Sequence, residues 1–301
     1  PKIFNNWILG IAPGLISITL IILIIFIPIA ALSKYIPEYP FSILNDSYLV
    51  SVIKFTVWQA MLSTFISIIL GLLVARAFAR RSNFFGRKIL LDLMGIPIVL
   101  PVIVAVFGLI SVYGSNGLLN SLTSHFGLDI DFSIYGITGI LLAHCFFNVP
   151  LVIRILLPAW ERIPNEHWCI ANTLNFSSMQ IFRFIEFPAL KELLRGSAII
   201  VFLLCFTSFA VILTLGGGPA ATTIEVAIYQ ALRFEFNPEL AIILALVQIM
   251  ICFMIISTLS SWVSSSYITD GFKATSNHRP DIKTFFSQFL DFFTICVFSF
   301  F

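Results

Sequence analysis

Charged residues are scarce in this chain. They make up 11% of its 301 residues, whereas hydrophobic residues make up 59%. A water-soluble domain of this length has no way to hide so much apolar surface, which excludes soluble enzymes and soluble binding modules. The net charge of +2 gives no indication of a nucleic acid or another acidic partner. The composition therefore predicts an all-α polytopic membrane protein.

Asp, Glu, Lys and Arg are absent from the centres of the long apolar runs. A proton- or sodium-coupled carrier usually holds such a group at mid-membrane to bind the coupling ion, so this absence weighs against a secondary carrier. The notable polar residues at that depth are Gln59, His144, Asn148 and Gln248. We predict that His144 is a neutral packing residue bonded to a neighbouring helix, and the alternative is a relay or a ligand.

Two common sequence motifs, one for nucleotide binding and one for metal or disulfide chemistry, are also missing. No glycine is followed by lysine, which excludes the phosphate-binding loop G-x-x-x-x-G-K-[ST] and nucleotide hydrolysis through that motif. The glycine run at 216–218 is interpreted as a flexible or sharply turned loop. The five cysteines contain no C-x-x-C pair, so we interpret them as small hydrophobic residues and predict neither a disulfide frame nor a metal site.

Long apolar runs dominate what is present. A helix needs about 20 apolar residues to cross about 30 Å of hydrocarbon. Six runs are long enough: 8–32, 51–76, 90–113, 134–158, 196–215 and 239–263. We predict six transmembrane helices in a domain at 1–263, a cytoplasmic linker at 264–284, and the start of a seventh span at 285–301.

Basic residues are distributed unevenly between the two sides of these spans. Only Lys34, Lys54 and Arg233 belong to one set of alternate loops and their flanks, and all other lysines and arginines fall in the other set. Basic loops tend to stay in the cytoplasm, so the basic set and the N-terminus are predicted to be cytoplasmic. The loops predicted to face outward are 33–50, 114–133 and 216–238.

A polar segment at 159–195 interrupts two apolar runs on the cytoplasmic side. So long an insert between two spans indicates that something on that side grips it. We predict two short helices, the first ending at Asn175, which tolerates the left-handed conformation, and the second capped by Ser177 or Ser178. The alternative is an amphipathic hairpin that lies on the lipid surface.

The first of these helices has a recognisable start and one distinctive face. Asn165 is a predicted N-cap, and Glu166 suits the positive end of the helix dipole. The spacing of Trp168, Ala171 and Leu174 predicts that they share a face. On that face Trp168 would offer a partner a large anchor, while the small Ala171 would let it approach the backbone.

This segment resembles the cytoplasmic signature of the permease subunits of ABC importers. That signature reads roughly E-A-A, three residues, G, and about twelve residues to a proline. The register in this chain is Cys169-Ile170-Ala171, then Asn172-Thr173-Leu174, then Asn175, with Pro188 following. Ala171 keeps the family residue, whereas Cys169, Ile170 and Asn175 stand where the glutamate, the first alanine and the glycine would be.

Two further stretches, 182–232 and 99–114, resemble the thiamine-uptake permeases of Gram-negative bacteria. The resemblance covers most of 8–263 and implies the fold of an ABC type I importer in the bacterial inner membrane. Members of this subfamily usually carry two homologous halves in one chain. This chain would then correspond to the first half and the start of the seventh span.

The resemblance implies a division of labour among several subunits. A periplasmic binding protein would deliver thiamine or its phosphate esters, and the permease, with a second half, would translocate it. A pair of cytoplasmic ATPase subunits would use the ATP, so this chain would be no enzyme and would need no cofactor. The residues implied in coupling to the ATPase are Glu166, Trp168, Ala171, Asn172, Leu174, Asn175, Arg183 and Pro188.

The substrate side is represented by Glu225 and Tyr229 in the outer segment. They are four residues apart and could share a helical face, which suits a cation with aromatic rings. The alternative is that they contact the binding protein or face water. Two other functions stay open, namely an ABC permease for ferric iron or a polyamine, and an ATPase-independent secondary carrier or channel.

Overall fold

The structure is a computed structural model that describes residues 14–24, 26–27, 30, 46–126, 133–218, 221–260 and 285–300. All regular secondary structure in these ranges is helical, which confirms the predicted all-α class. The predicted linker at 264–284 lies outside the described residues.

The described helices follow one another in a simple order. They are α1 Gly14–Ile24, α2 Ser47–Arg80, α3 Arg87–Leu93, α4 Ile96–Val99, α5 Val102–Tyr113, α6 Leu118–His125, α7 Ile137–Glu161, α8 Asn165–Thr173, α9 Ser178–Ile181, α10 Phe187–Phe206, α11 Ala210–Leu215, α12 Ile224–Arg233, α13 Pro238–Ser260 and α14 Phe285–Phe300. A π-helical turn, Phe182–Glu186, joins α9 to α10 without a break.

Four of the described stretches are long and apolar enough to cross a membrane. They are Ser47–Arg80, Val102–His125, Ile137–Glu161 and Pro238–Thr258. Each overlaps a predicted run, namely the runs that begin at 51, 90, 134 and 239. The protein is therefore a multi-pass membrane protein, while the total of six spans stays a prediction.

Two of the predicted runs are broken rather than continuous. The run at 90–113 is divided among α3, α4 and α5, and α5 begins directly after Pro101, whose missing N–H group suits a helix start. The run at 196–215 is divided at residues 207–209, between α10 and α11. The prediction that each run forms one uninterrupted helix is therefore wrong at these two places.

α2 lies at the centre of the fold and packs against α7, α10 and α14. Its buried face consists largely of small or polar residues, among them Ala60, Ser63, Ser67 and Gly71. A Cβ atom at Gly71 would lie 2.5 Å from Cγ1 of Val152 on α7, so only glycine permits this approach. Small residues let membrane helices pack closely in an environment as apolar as their own side chains.

Candidate coupling site

The first helix of the polar insert, α8, begins at Asn165 and follows Pro164. Pro164 occupies the cap position, and no side chain bonds to the free N–H groups there, so the prediction that Asn165 is the N-cap is wrong by one residue. Proline fixes the extended entry of the chain, which takes over part of the role of a cap. Glu166 lies in the first turn, as predicted from the helix dipole.

The end of α8 confirms the prediction made for Asn175. Asn175 has φ 49°, in the left-handed region. Its N–H donates to the carbonyl of Asn172 at 3.1 Å, and the N–H of Phe176 donates to the carbonyl of Ala171 at 2.9 Å. These two bonds form a Schellman motif, which satisfies the last carbonyls of the helix and turns the chain sharply towards α9.

The face of α8 that carries Trp168 and Ala171 points into the protein. Their exposed fractions are 1% and 0%, and both belong to the main hydrophobic core of the chain. The expectation that Trp168 is an anchor offered to a partner is therefore wrong. Trp168 and Ala171 instead hold α8 against the other helices, which sets the position of the segment.

The remaining surface of α8 and the turn after it are exposed. Glu166, Asn172, Leu174 and Asn175 are all exposed, and so is Ile170. Leu174 was predicted to share a face with Trp168, but α8 ends at Thr173 and the chain leaves the helical path there. The exposed leucine and isoleucine make this surface partly apolar.

The second helix of the insert begins with a capping box. The Ser177 hydroxyl accepts from the N–H of Gln180 at 3.4 Å, and the Gln180 side chain accepts from the N–H of Ser177 at 2.7 Å. This confirms Ser177 as one of the two predicted caps. Arg183 and Pro188, both predicted in coupling, are exposed, and the Arg183 guanidinium lies 5.8 Å from the centre of the Phe184 ring.

A buried ion pair ties the insert to α2. Nε of Arg76 lies 2.7 Å from Oε2 of Glu186, whose side chain is 0% exposed. The same guanidinium donates to the carbonyl of Ser178 at 3.0 Å and lies 4.8 Å from the centre of the Phe182 ring. Sequence reasoning missed both partners, and the available signal was a lone glutamate between Ile185 and Phe187 in an apolar stretch.

The end of α2 also contacts α14. Arg80 donates to the hydroxyl of Ser178, and its guanidinium lies 3.4 Å from a carboxylate oxygen of Asp291. Arg81 reaches the other oxygen of Asp291, also at 3.4 Å. One short arginine cluster on α2 thus holds both the insert and the beginning of the predicted seventh span.

At membrane depth the contacts are neutral. The Ser63 hydroxyl and Nδ1 of His144 are 2.9 Å apart, which joins α2 to α7 and confirms His144 as a residue bonded to a neighbouring helix. The Gln59 amide donates to the carbonyl of Cys205 on α10 at 3.0 Å. Cys145 and Cys205 are buried, in line with their interpretation as small hydrophobic residues, whereas Cys169 and Cys296 are exposed.

The two residues predicted on the substrate side lie on α12, where Glu225 and Tyr229 follow each other by one turn. The Glu225 carboxylate accepts from the Gln248 amide at 2.6 Å. The Tyr229 ring lies between those of Phe209 and Phe234, with centres 5.3 and 5.8 Å apart. Both side chains are half-buried, and both contact other residues of this chain.

Gly217 and Gly218 before α12 have positive φ angles, which confirms the sharp turn predicted for the glycine run.

Solved structures with the same fold belong to bacterial ABC transporters. A chain of a bacterial alginate ABC transporter, solved in complex with an alginate pentasaccharide-bound periplasmic protein, superimposes with a TM-score of 0.71 at 15% identity, over 86% of this chain and 95% of that one. A chain of an inward-facing MetNI methionine ABC transporter gives a TM-score of 0.52, also at 15% identity, over 72% of this chain and 97% of that one. The architecture is that of an ABC type I importer permease.

The sequence comparisons are more specific. The family model described as binding-protein-dependent transport system inner membrane component matches residues 67–264, and the chain belongs to this family of membrane transport components. Thiamine transport system permease protein ThiP of Escherichia coli K12 is 46% identical over 241 residues, 80% of this chain and 45% of that protein.

Two further relatives carry the same name. The ThiP protein of Salmonella typhimurium LT2 is 45% identical over 271 residues, 89% of this chain and 50% of its own length. That of Brucella abortus strain 2308 is 44% identical over 234 residues, 78% of this chain and 43% of its own length. The chain thus spans about half the length of the curated relatives that it matches.

Proposed function

We propose that the chain is half of the permease of an ATP-driven importer that carries thiamine, or its phosphate esters, from the periplasm to the cytoplasm. The observation that carries this proposal is the identity of 44–46% to thiamine transport permeases over at least 78% of the chain. A second permease half, fused or separate, would complete the pathway. A periplasmic binding protein would deliver the substrate, and a cytoplasmic ATPase dimer would supply the energy.

The insert is the surface that we assign to the ATPase. Ile170 and Leu174 are 57% and 59% exposed and lie close together at the end of α8, next to the polar residues Asn172 and Asn175. A short helix with a small apolar centre and a polar rim suits a groove on a soluble partner. Trp168 and Ala171 act behind this surface, because they hold the helix that presents it.

The same contacts support an orientation of the chain in the membrane. Arg76 and Arg80 touch Ser178, and Arg87 pairs with Glu161 at 2.7 Å, so the arginine-rich end of α2 and the insert lie on one side. Basic loops favour the cytoplasm, so we assign this side to the cytoplasm, with the N-terminus on the same side in the bacterial inner membrane. The α12 segment then faces the periplasm and the binding protein.

The substrate is tested with the complete transporter in proteoliposomes, assembled with its ATPase and binding protein. We expect uptake of labelled thiamine that requires ATP inside the proteoliposomes and stops when the ATPase is omitted. Uptake of ferric iron or a polyamine in place of thiamine would overturn the substrate assignment. Thiamine uptake that persists without the ATPase would overturn the proposed mechanism.

The coupling surface is tested with Ile170→Asp and Leu174→Asp. Both side chains are exposed, so the change in stability should stay within about 0.5 kcal/mol, while a charge in the apolar centre should prevent docking of the ATPase. We expect normal amounts of permease in the membrane, little ATPase co-purifying with it, and uptake near background. Phe85→Asp is the matched control, because Phe85 is exposed on the same side but outside the insert. Normal co-purification and uptake in both insert variants would contradict the assignment.

A further inference from the structure

A cavity of about 390 Å³ lies at membrane depth, beside the polar residues that join α7 to its neighbours. Its wall includes His144, Phe147 and Asn148 of α7, and Thr207, Ser208 and Phe209 from the break between α10 and α11. Its volume falls at the lower end of the range for small-molecule sites, which is about 300–1,000 Å³. Thr207 is exposed and Ser208 half-buried, so the cavity opens on the surface of this half.

Both helix breaks described above border this cavity. Leu100 and Val102 come from the interruption around Pro101, and Thr207 and Ser208 come from the interruption before α11. Irregular backbone at membrane depth is tolerated only where protein buries it or where it lines a polar cavity, because lipid leaves its N–H and C=O groups unsatisfied. The cavity on which the two breaks converge is lined mostly by apolar side chains with a few polar ones, which suits an aromatic ligand that carries some hydrogen-bonding atoms.

His144 has an unused hydrogen-bonding atom just behind this wall. The side chain is 3% exposed, and its Nδ1 is engaged by Ser63 on α2. Its Nε2 is buried and has no hydrogen-bond partner among the described residues. A buried polar atom without a partner is costly, so its retention beside a cavity suggests that a ligand serves as the partner.

We propose that the cavity is a transit site for the uncharged, nitrogen-containing aromatic ring of the substrate. This inference rests on the proposed function, since thiamine joins an aminopyrimidine ring to a cationic ring. Nε2 of His144 and the Asn148 amide bind ring nitrogen or amino groups, and the Phe147 and Phe209 rings pack against the faces of the ring. The described residues that line the cavity include no aspartate or glutamate, so the site recognises the neutral ring by hydrogen bonds and stacking.

The test compares His144→Met with Gln59→Met in the complete transporter. Each variant removes one buried polar side chain that bonds across to a neighbouring helix, but Gln59 does not line the cavity. The measured quantity is thiamine taken up per ATP hydrolysed. We expect His144→Met to lower this ratio about tenfold, the size of one lost buried hydrogen bond, and Gln59→Met to leave it unchanged.

His144→Gln, which keeps a hydrogen-bonding group, should recover much of the ratio. A purely structural role for His144 would lower uptake, ATP hydrolysis and the amount of protein together, and would leave the ratio unchanged. An unchanged ratio in His144→Met would therefore overturn the proposal.

Ser208→Cys provides a second measurement, which does not depend on thiamine being the substrate. Ser208→Cys should react with a small charged methanethiosulfonate reagent faster than the cysteines of the parent transporter, and thiamine with its binding protein should slow the reaction. No reaction at this position would overturn the cavity proposal even if thiamine uptake is normal. Rapid reaction in a transporter that moves no thiamine would overturn the proposed substrate and leave the open cavity supported.

Discussion

The arginine-rich end of α2 and its apolar middle contact neighbouring elements by different means. At the arginine-rich end the contacts are ionic, with Arg76 bound to Glu186 and Arg80 to Asp291. In the middle they are neutral, with Gln59 bound to the Cys205 carbonyl and Ser63 to His144. α2 therefore changes from neutral to charged contacts along its length.

The difference follows from the medium around each region. A charge taken to the bilayer centre loses its hydration, so only neutral hydrogen bonds are tolerable between helices there. Near the membrane surface water and lipid headgroups are close, and ionic contacts can be formed between elements far apart in sequence. The insert that we assign to the ATPase is thus attached by the stronger and more directional contacts, as a segment that transmits force requires.

The largest expected effect is that of Glu186→Ala. The substitution leaves Arg76, whose side chain is 20% exposed, without its buried carboxylate, and we expect a loss of about 3 kcal/mol in the free energy of unfolding. Thermal unfolding of the purified permease measures it. Uptake should fall as well, because the insert loses its attachment to α2. A loss below about 1 kcal/mol would place this pair with ordinary surface pairs and remove the contrast between the two regions.

Asn175→Ala should have the next largest effect. Alanine in the left-handed conformation costs about 1–2 kcal/mol, and the Schellman motif at the end of α8 depends on that conformation. Asn175→Gly is the control and should be as stable as the parent, because glycine adopts positive φ freely. The stability difference between these two variants measures the backbone contribution alone. Equal stability would mean that the turn relaxes, and the attachment of the insert would then be less rigid than we infer.

Gln59→Met tests the neutral region. It removes one hydrogen bond to the Cys205 carbonyl, which we expect to lower stability by about 1 kcal/mol. The same thermal unfolding assay applies, and the control is Ser67→Ala on the same buried face of α2, which removes only the weak contact of 3.9 Å from the Ser67 hydroxyl to Cys145 Sγ. A loss as large as that of Glu186→Ala would show that the neutral contacts are as strong as the ionic ones.

Glu161→Gln should have the smallest effect. The Arg87–Glu161 pair has the same 2.7 Å length as the Arg76–Glu186 pair, but the Glu161 side chain is 53% exposed. We expect about 0–1 kcal/mol, and salt should reduce it further. Because the two ion pairs have the same length but differ in burial, comparing their losses shows the effect of burial alone. Equal losses at Glu161 and Glu186 would contradict the view that burial decides the strength of these contacts.

Much of the local structure of the insert was predictable because its signals are local. The left-handed Asn175 and the Ser177 cap depend on neighbours within a few residues, and both were recovered from the sequence. The direction in which the Trp168 side chain points was not recovered from the sequence. Its spacing with Ala171 correctly placed the two on one face, but spacing does not say whether a face turns to the core or to a partner.

The breaks at 207–209 and the Arg76–Glu186 pair were missed for a related reason. No proline or glycine marks 207–209, so nothing local distinguishes it from the middle of a span. Arg76 and Glu186 are 110 positions apart, and each looked like an ordinary residue of a basic loop or a polar insert. Their pairing exists only because α2 and α10 pack side by side.

The amino-acid sequence alone determined that this chain belongs in a membrane, that the first helix of its polar insert ends at a left-handed Asn175, and that the second is capped by Ser177. These properties follow from hydrophobicity and short-range backbone preferences, both of which act between close neighbours. Only the tertiary structure decided which face of α8 is free, which charges are paired, and that two helix breaks meet at one cavity. Those features depend on helices distant in sequence coming together, and packing between such helices has no signature in any one of them.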